Sequence, residues 1–113
     1  MIDQIQPVQL AAWAASHAAQ GPVVVLDVRE PWEVQTASVR PEGFELLTIP
    51  MSTVPANLQD LPRDRPIACL CHHGARSMQV ARFLVSNGFA EVSNIAGGID
   101  AWSLQVDPAL ARY

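Results

Sequence analysis

The sequence predicts an α/β fold: a mainly parallel central sheet of about four to five strands with helices on both faces. Three observations support this prediction. Short apolar runs rich in β-branched residues alternate along the chain with helical patterns. The chain has 113 residues, 50% of them hydrophobic, which suits one core. No repeat, low-complexity segment or linker divides it, so residues 1–113 are assigned to a single domain.

Helix and strand signals alternate in the first half of the chain. Pro7 suits a first helical turn, the apolar spacing after it is helical, and Gly21 stops the pattern. Val23–Leu26 is a continuous apolar run, typical of a strand buried on both faces. Pro50 ends the next apolar run, and Ser52 then offers a helix cap. These signals predict, in order, a helix over 7–19, a strand over 23–26, a short helix near 31, a strand over 46–49 and a short helix over about 52–61.

The second half continues the alternation. A third apolar run predicts a buried strand, and Gly88 stands where a glycine commonly ends a helix. The predicted elements are a strand over 67–70, a long helix over about 76–87, a strand over 92–95 and a last helix over about 99–104. In the long helix, the residues expected to face inward are Met78, Ala81, Phe83, Leu84 and Val85.

A mainly parallel sheet gathers its loops at one edge. Right-handed crossovers place every strand-to-helix loop at the carboxyl ends of the strands, and ligands of such sheets bind there. Four segments are predicted to meet at that edge, namely 27–30, 50–52, 71–76 and 96–98. The functional site is therefore expected among these loops.

Charge and hydropathy argue against two classes of partner. Lys and Arg number 7 against 11 Asp and Glu, a net charge of −4, whereas general nucleic-acid binding needs a basic face. No apolar run approaches the ~20 residues of a membrane-spanning helix. Residues 1–4 lack the basic and apolar regions of a signal peptide. We therefore expect a cytoplasmic protein with neither nucleic acid nor a membrane as partner.

The clearest chemical signal is the segment Cys71-His72-His73-Gly74-Ala75-Arg76-Ser77, which runs from a predicted strand into the long helix. Cysteine acts as a nucleophile in its thiolate form. A helix N-terminus supplies unpaired N–H groups and partial positive charge, and a tight loop at Gly74 can turn amides inward around an anion. Arg76 adds a fixed charge. We predict that Cys71 is the nucleophile and that residues 72–77 bind the substrate.

Neighbouring side chains leave some alternatives open. Cys69 lies on the same strand face as Cys71 and is interpreted as core, with a resolving thiol as the alternative. We expect no metal site, because the four Cys and His side chains are crowded between Cys69 and His73 with no second pair at metal spacing. Of His72 and His73, one is expected to face the pocket mouth and the other outward. Trp32 is either core or pocket rim.

The cysteine segment resembles the active-site loop of the rhodanese (sulfurtransferase) domain family, and three further segments agree. Asp27-Val28-Arg29 is similar to the family's aspartate motif, Ile49-Pro50 to its isoleucine-proline step, and Gly97-Gly98-Ile99-Asp100-Ala101-Trp102 to its double-glycine motif. The matches follow the family order and cover about residues 5–104. Residues 37–44 depart from the family's glycine-histidine-isoleucine stretch, so the pocket rim is expected to differ there.

The resemblance implies a sulfurtransferase that needs no cofactor. Cys71 takes the outer sulfur of a small anionic donor such as thiosulfate and becomes a persulfide, and an acceptor then removes that sulfur. The implied acceptor is cyanide or a thiol, with a protein thiol as a further candidate. Arg76 either attracts the sulfonate end of the donor or braces the loop. Structural support is expected from Asp27, Arg29, Gly97 and Gly98.

Two other functions compete with this interpretation. A cysteine-dependent phosphatase or arsenate reductase also places a thiolate at a helix N-terminus, but its loop has one more residue between cysteine and arginine. The shorter spacing from Cys71 to Arg76 suits a single sulfur better than a tetrahedral oxyanion. A non-catalytic docking or sensing module is the second alternative, because fold alone does not establish catalysis. The presence of Cys71 argues against that alternative.

Overall fold

The computed structural model describes residues 2–113, and Met1 of the predicted domain lies outside them. Its centre is a sheet in which every pairing between neighbouring strands is parallel. Along the sheet the strands follow the order β1-β5-β4-β2-β3. The strands are β1 (Asp3–Ile5), β2 (Val23–Asp27), β3 (Phe44–Thr48), β4 (Ile67–Leu70) and β5 (Val92–Ile95). The predicted parallel α/β class is confirmed.

Strand β1 is the element that the apolar pattern did not locate. It has three residues, of which Asp3 and Gln4 are exposed and Ile5 is buried. An edge strand this short and polar carries no alternating or continuous apolar signal. It forms one edge of the sheet and pairs there with β5.

Within residues 2–113, four α-helices and four short 3₁₀ segments accompany the strands. The α-helices are α1 (Leu10–Ser16), α2 (Pro31–Thr36), α3 (Ala75–Ser86) and α4 (Gly98–Gln105). The 3₁₀ segments are Pro7–Gln9, Ala18–Gln20, Met51–Thr53 and Pro55–Asp60. The helix predicted over 7–19 is therefore broken at both ends, and the helix predicted over about 52–61 is two 3₁₀ segments, the second starting at Pro55. Proline cannot donate the backbone hydrogen bond of a continuous helix.

Two apolar cores, one on each face of the sheet, hold the layers together. Alternate residues of β2 serve each core: Val23 and Val25 face one, and Val24 and Leu26 face the other. Side chains of α1 and α4 complete the first core, and side chains of α3 complete the second. Because both faces of β2 are buried, its sequence is a continuous apolar run. Helices lie on both faces of the sheet, as predicted.

The inward face of α3 differs from the prediction at two positions. Val80, Ala81 and Leu84 are buried, whereas Val85 is 47% exposed. Each residue of a helix turns by about 100°, so Val85 lies away from the stripe that Leu84 and Val80 define. Val80, at that stripe, was not among the expected residues.

Residues 37–44, where the family pattern is altered, connect α2 to β3. Ala37, Val39 and Phe44 are buried in the first core, and the Phe44 ring meets the Trp102 ring edge-on at 6.0 Å between centroids. The segment therefore contributes to packing.

Within residues 2–113, no helix combines the length and the apolar character that a membrane span needs. The 12 residues of α3 extend about 18 Å.

Candidate active site

Cys71 follows β4 directly and begins the loop that leads into α3. Its side chain is 1% exposed, and its Sγ accepts a hydrogen bond from the backbone N–H of Gly74 at 3.0 Å. Gly74 has a φ of 106°, the left-handed region that other residues rarely adopt. A Cβ at Gly74 would stand 3.3 Å from the backbone nitrogen of Gly97. The turn that aims this N–H at the sulfur therefore depends on glycine.

The N-terminus of α3 lies beside the same sulfur. Gly74 is the N-cap residue, and within residues 2–113 no side chain accepts a capping hydrogen bond there. The first-turn N–H groups of Ala75, Arg76 and Ser77 cannot be satisfied inside the helix, and they carry its partial positive charge. An anion centred on Cys71 is stabilised by this arrangement.

A chain of buried polar side chains reaches the sulfur from the sheet. Ser77 Oγ lies 3.3 Å from Cys71 Sγ and donates to Asn94 Oδ1 at 2.5 Å. The amide of Asn94 donates to the carbonyl of Gly74 at 3.2 Å and to Gln4 Oε1 at 3.1 Å. Because both of those partners are acceptors, the amide oxygen must face Ser77. Asn94, on β5, thus positions the loop glycine and the serine beside Cys71.

Helix α4 holds the loop from the other side. The backbone N–H of Ile99 donates to the Cys71 carbonyl at 2.9 Å, and that of Asp100 donates to the His72 carbonyl at 3.1 Å. Gly98 has a φ of 61°, and a Cβ there would overlap both carbonyls. Gly97 has a φ of 73°, and a Cβ there would stand 2.6 Å from the Cβ of Ala101. The two glycines therefore let α4 begin in direct contact with the loop.

Asp27 and Arg29 form a buried ion pair at the end of β2. Arg29 Nε donates to Asp27 Oδ1 at 2.9 Å, and Arg29 Nη2 donates to Asp27 Oδ2 at 2.7 Å. The Arg29 side chain is 0% exposed and the Asp27 side chain is 1% exposed. Arg29 Nη1 also donates to the carbonyl of Glu33 at 3.2 Å, which ties the strand end to α2. A buried pair with this geometry acts as a rigid support rather than as a site open to substrate.

Arg76 forms a two-pronged ion pair with Glu33 of α2. Its Nη1 and Nη2 donate to the two carboxylate oxygens at 2.7 and 2.8 Å. The hydrogen bonds from Arg76 lower the pKa of Glu33 to about 2, against the opposing effect of burial. The same pair raises the pKa of Arg76 above its ordinary value. Of the two roles left open for Arg76, the geometry supports bracing the loop, while 34% of the side chain stays exposed.

His72 and His73 extend from the loop in a stack of rings. The two imidazoles lie 3.9 Å apart between centroids, and the ring of Tyr113 covers the other face of His72 at 4.0 Å. His73 is the exposed member, with 64% of its side chain accessible. Burial, and then the neighbouring His73, lower the pKa of His72. Of the two histidines, His73 faces outward and His72 is enclosed.

His72, His73 and Asp100 place potential metal-ligand atoms within 4.8 Å of one another. Arg112 Nε also donates to Asp100 Oδ1 at 2.9 Å. Asp100, the carboxylate of this cluster, is therefore already held in an ion pair.

Cys69 is packed in the core. It is 0% exposed, and burial, with a smaller effect from Cys71, raises its pKa to about 12. A thiol in that state is neither a nucleophile nor a ready metal ligand. The sequence left Trp32 as either a core or a rim residue, and the structure shows it 62% exposed. Its ring meets the Tyr113 ring edge-on, with 5.8 Å between the centroids.

Four residues around the site were not expected from the sequence: Gln4, Glu33, Asn94 and Tyr113. Gln4 and Tyr113 are distant from Cys71 in sequence, and no motif connects them to it. Glu33 carried one local signal, since it stands three residues after Glu30, the spacing of a capping box. That signal indicates a helix start and gives no hint of a bond to Arg76.

Comparison with known proteins agrees with this geometry. Residues 10–105 match the rhodanese-like domain family. A protein named sulfurtransferase from Allochromatium vinosum is 34% identical over 89 residues, which cover 79% of each chain. A rhodanese-like/PpiC domain-containing chloroplast protein 12 from Arabidopsis thaliana is 42% identical over 91 residues, 79% of this chain but only 30% of its own length. The crystal structure of a rhodanese-related protein from Thermoplasma volcanium superposes with a TM-score of 0.77 at 28% identity, covering 98% of this chain and 99% of that one.

The chain therefore belongs to the rhodanese-like domain family, whose match spans α1 to α4 and includes the Cys71 loop. The resemblance seen in the sequence is confirmed. Proteins named sulfurtransferases are among its relatives.

Proposed function

We propose that this domain is a sulfurtransferase that carries a sulfane sulfur on Cys71. The Cys71 thiolate attacks the outer sulfur of thiosulfate, a new S–S bond forms, and sulfite leaves with the electron pair of the broken S–S bond. Cyanide or a thiolate then attacks the outer sulfur of the persulfide. The acceptor leaves as thiocyanate or as a new persulfide, and the Cys71 thiolate is restored.

The observation that supports this proposal is the Gly74 N–H aimed at Cys71 Sγ from the start of α3. A thiolate and a persulfide both carry negative charge at this place. Backbone N–H groups held in position stabilise such charge without reorganising during the reaction. We assign the first-turn amides of Ala75 and Arg76 to the outer sulfur, which extends beyond Sγ.

The remaining loop residues have proposed roles that follow from their positions. The Ser77 hydroxyl contacts Cys71 Sγ and holds the reacting sulfur in place. His73, as the exposed residue of the pair, is proposed to contact the donor, and the enclosed His72 forms one wall of the entrance. Arg76 keeps part of its guanidinium exposed while paired with Glu33, so it is proposed to attract an anionic donor from that position.

Loop size favours sulfur transfer over phosphatase chemistry. Four residues separate Cys71 from Arg76, and the loop closes on the sulfur through Gly74. A tetrahedral oxyanion needs a wider ring of amides than a single sulfur atom does. The acceptor is proposed to be a thiol, of a small molecule or of a protein. The reducing cytoplasm, the proposed location, supplies such thiols.

Mass spectrometry of the intact protein after exposure to thiosulfate tests the proposal. The wild-type chain is expected to gain one sulfur atom and to lose it on addition of cyanide, with thiocyanate as product. Cys71→Ser is expected to gain none, whereas the control Cys69→Ser gains one as the wild type does. Absence of the adduct with thiosulfate and with a polysulfide donor would support the docking module. Turnover of p-nitrophenyl phosphate would support the phosphatase.

A further inference from the structure

The segment after α4 returns to the active site and brings Tyr113 to it. Ser103 Oγ donates to the Leu110 carbonyl at 2.9 Å, and Leu110 packs against the first core. Arg112 pairs with Asp100. The family match ends at residue 105, before this segment begins.

The hydroxyl of Tyr113 connects two supports of the site. It donates to Glu33 Oε2 at 2.7 Å and accepts from Arg29 Nη1 at 3.1 Å. Burial, the largest cause, raises the pKa of Tyr113 to about 12, so the hydroxyl keeps its proton and remains a donor. Glu33 Oε2 is also the oxygen that accepts from Arg76 Nη2. One carboxylate oxygen thus receives one bond from the active-site loop and one from the returning segment.

The ring of Tyr113 acts on the loop directly. It lies almost parallel to the His72 imidazole, with 11° between the planes and 4.0 Å between the centroids. His73 covers the opposite face, so His72 is enclosed between two rings. Stacking at this distance fixes the plane of a side chain that is adjacent to the nucleophile.

We propose that Tyr113 is a positioning residue of the sulfur-transfer site, holding His72 through its ring and the Glu33–Arg76 pair through its hydroxyl. The inference rests on the proposed function for its kinetic part and on geometry alone for the rest. The first contact acts on the loop between Cys71 and α3, and the second acts on the first turn of α3. Losing them leaves the loop with fewer constraints, and small displacements of catalytic groups are costly.

The titration of His72 reports the ring contact. Four groups face this imidazole: Tyr113 from the returning segment, His73 from the loop, Glu33 from α2 and Asp100 from α4. Burial disfavours the charged imidazole, and the Tyr113 ring covers one face of it. Removing the ring exposes His72 to water and to the two carboxylates. The pKa of His72 should then rise toward its ordinary value.

Two variants of the full chain test the inference by histidine NMR titration. Tyr113→Ala is expected to raise the titration midpoint of His72, while Tyr113→Phe keeps the ring and leaves the midpoint close to that of wild type. His17, at the end of α1, is the internal reference. Trp32→Ala is the matched control, because it removes an exposed ring that touches Tyr113 but belongs to neither the His72 stack nor the Glu33 bond. Circular dichroism verifies that each variant is folded.

The rate of persulfide formation from thiosulfate is the second readout. Tyr113→Ala is expected to lower kcat/KM about tenfold, and Tyr113→Phe to lower it less, since only the hydroxyl is lost. An unchanged His72 midpoint or an unchanged rate in folded Tyr113→Ala overturns the inference. A wild-type chain that forms no persulfide from thiosulfate or polysulfide refutes the proposed function instead, and the titration still decides whether Tyr113 controls His72.

Discussion

Cys69 and Cys71 are two residues apart, face the same core and are almost equally buried, at 0% and 1% exposure. Their surroundings nevertheless differ in kind. Cys69 lies within β4 among apolar side chains, and burial raises its pKa to about 12. Cys71 lies where the strand has ended, so its Sγ meets the Gly74 N–H and the Ser77 hydroxyl. The two thiols therefore share their burial and differ in the polar groups around the sulfur, and we predict that this difference separates their chemistry.

The largest expected effect is in the reactivity of the two thiols toward a small alkylating reagent. Cys71 should be modified in the native protein, whereas Cys69 should react only when the core opens. Core opening costs several kcal/mol, so the two rates should differ by about 10³-fold or more. Peptide mapping after timed alkylation measures the ratio, with urea-unfolded protein as the control in which both thiols react. Comparable labelling of the two thiols in native protein would remove the contrast.

Substitution of Gly98 tests whether contact with α4 holds the Cys71 loop. Gly98→Ala adds left-handed strain and places a Cβ against the carbonyls of Cys71 and His72. We expect the free energy of unfolding to fall by about 3 kcal/mol or more, with loss of persulfide formation. Gly43→Ala is the matched control, since Gly43 also has a positive φ, 78°, but open space around its Cβ position.

Gly43→Ala should cost about 1 kcal/mol and leave sulfur transfer unchanged. Urea unfolding measures both variants, and the persulfide assay accompanies it. If the two variants lose the same free energy of unfolding, the cost at Gly98 comes from its positive φ alone, and its close contact with the Cys71 and His72 carbonyls adds nothing.

Glu33 should make the fold sensitive to acid. A carboxylate with a lowered pKa stabilises the folded state above its unfolded value of 4.5, and this contribution is lost as pH falls toward about 2. The loss should amount to about 3 kcal/mol, since one pKa unit corresponds to about 1.4 kcal/mol. In Glu33→Gln the free energy of unfolding should depend less on pH between these values, and it should be lower than that of wild type at neutral pH. Urea unfolding at a series of pH values measures both effects.

Glu45→Gln is the control for Glu33→Gln, because Glu45 pairs with Arg65 on the surface and is 45% exposed. An exposed pair contributes less than about 1 kcal/mol to folding stability. The loss of unfolding free energy at acid pH should therefore be the same in Glu45→Gln as in wild type. Equal acid profiles for the two variants would show that the Glu33–Arg76 pair does not stabilise the fold.

The sequence predicted the parts of the site that depend on local pattern. Cys71 at a strand end, Gly74 before a helix and the glycines at 97 and 98 are neighbours in sequence of the elements they shape. Their consequences follow from strand and helix periodicity and from the conformations that glycine allows. The parallel sheet was predicted for the same reason, because alternation of apolar strands and helices is a local signal.

The parts that the sequence did not predict depend on contacts between distant segments. Tyr113 and Gln4 reach the site from opposite ends of the described chain, and Asn94 is one polar residue in a buried strand. Buried polar partners are chosen by three-dimensional hydrogen bonding, which has no periodicity to detect. The misplacement of Val85 has another cause, since apolar residues occur on exposed helix faces as well.

The smallest effect that sharpens the contrast between the two cysteines is expected from Ser77→Ala. This change removes the hydroxyl beside Cys71 Sγ and leaves the Asn94 amide oxygen without its donor. Loss of one hydrogen bond of about 1 kcal/mol should slow persulfide formation about fivefold. Ser38→Ala is the control, since Ser38 donates to the Val34 carbonyl in a half-buried position distant in sequence from the sulfur. A rate equal to that of wild type in Ser77→Ala would show that the Ser77 hydroxyl adds nothing to what the backbone N–H groups of Gly74 and of the first turn of α3 do for Cys71.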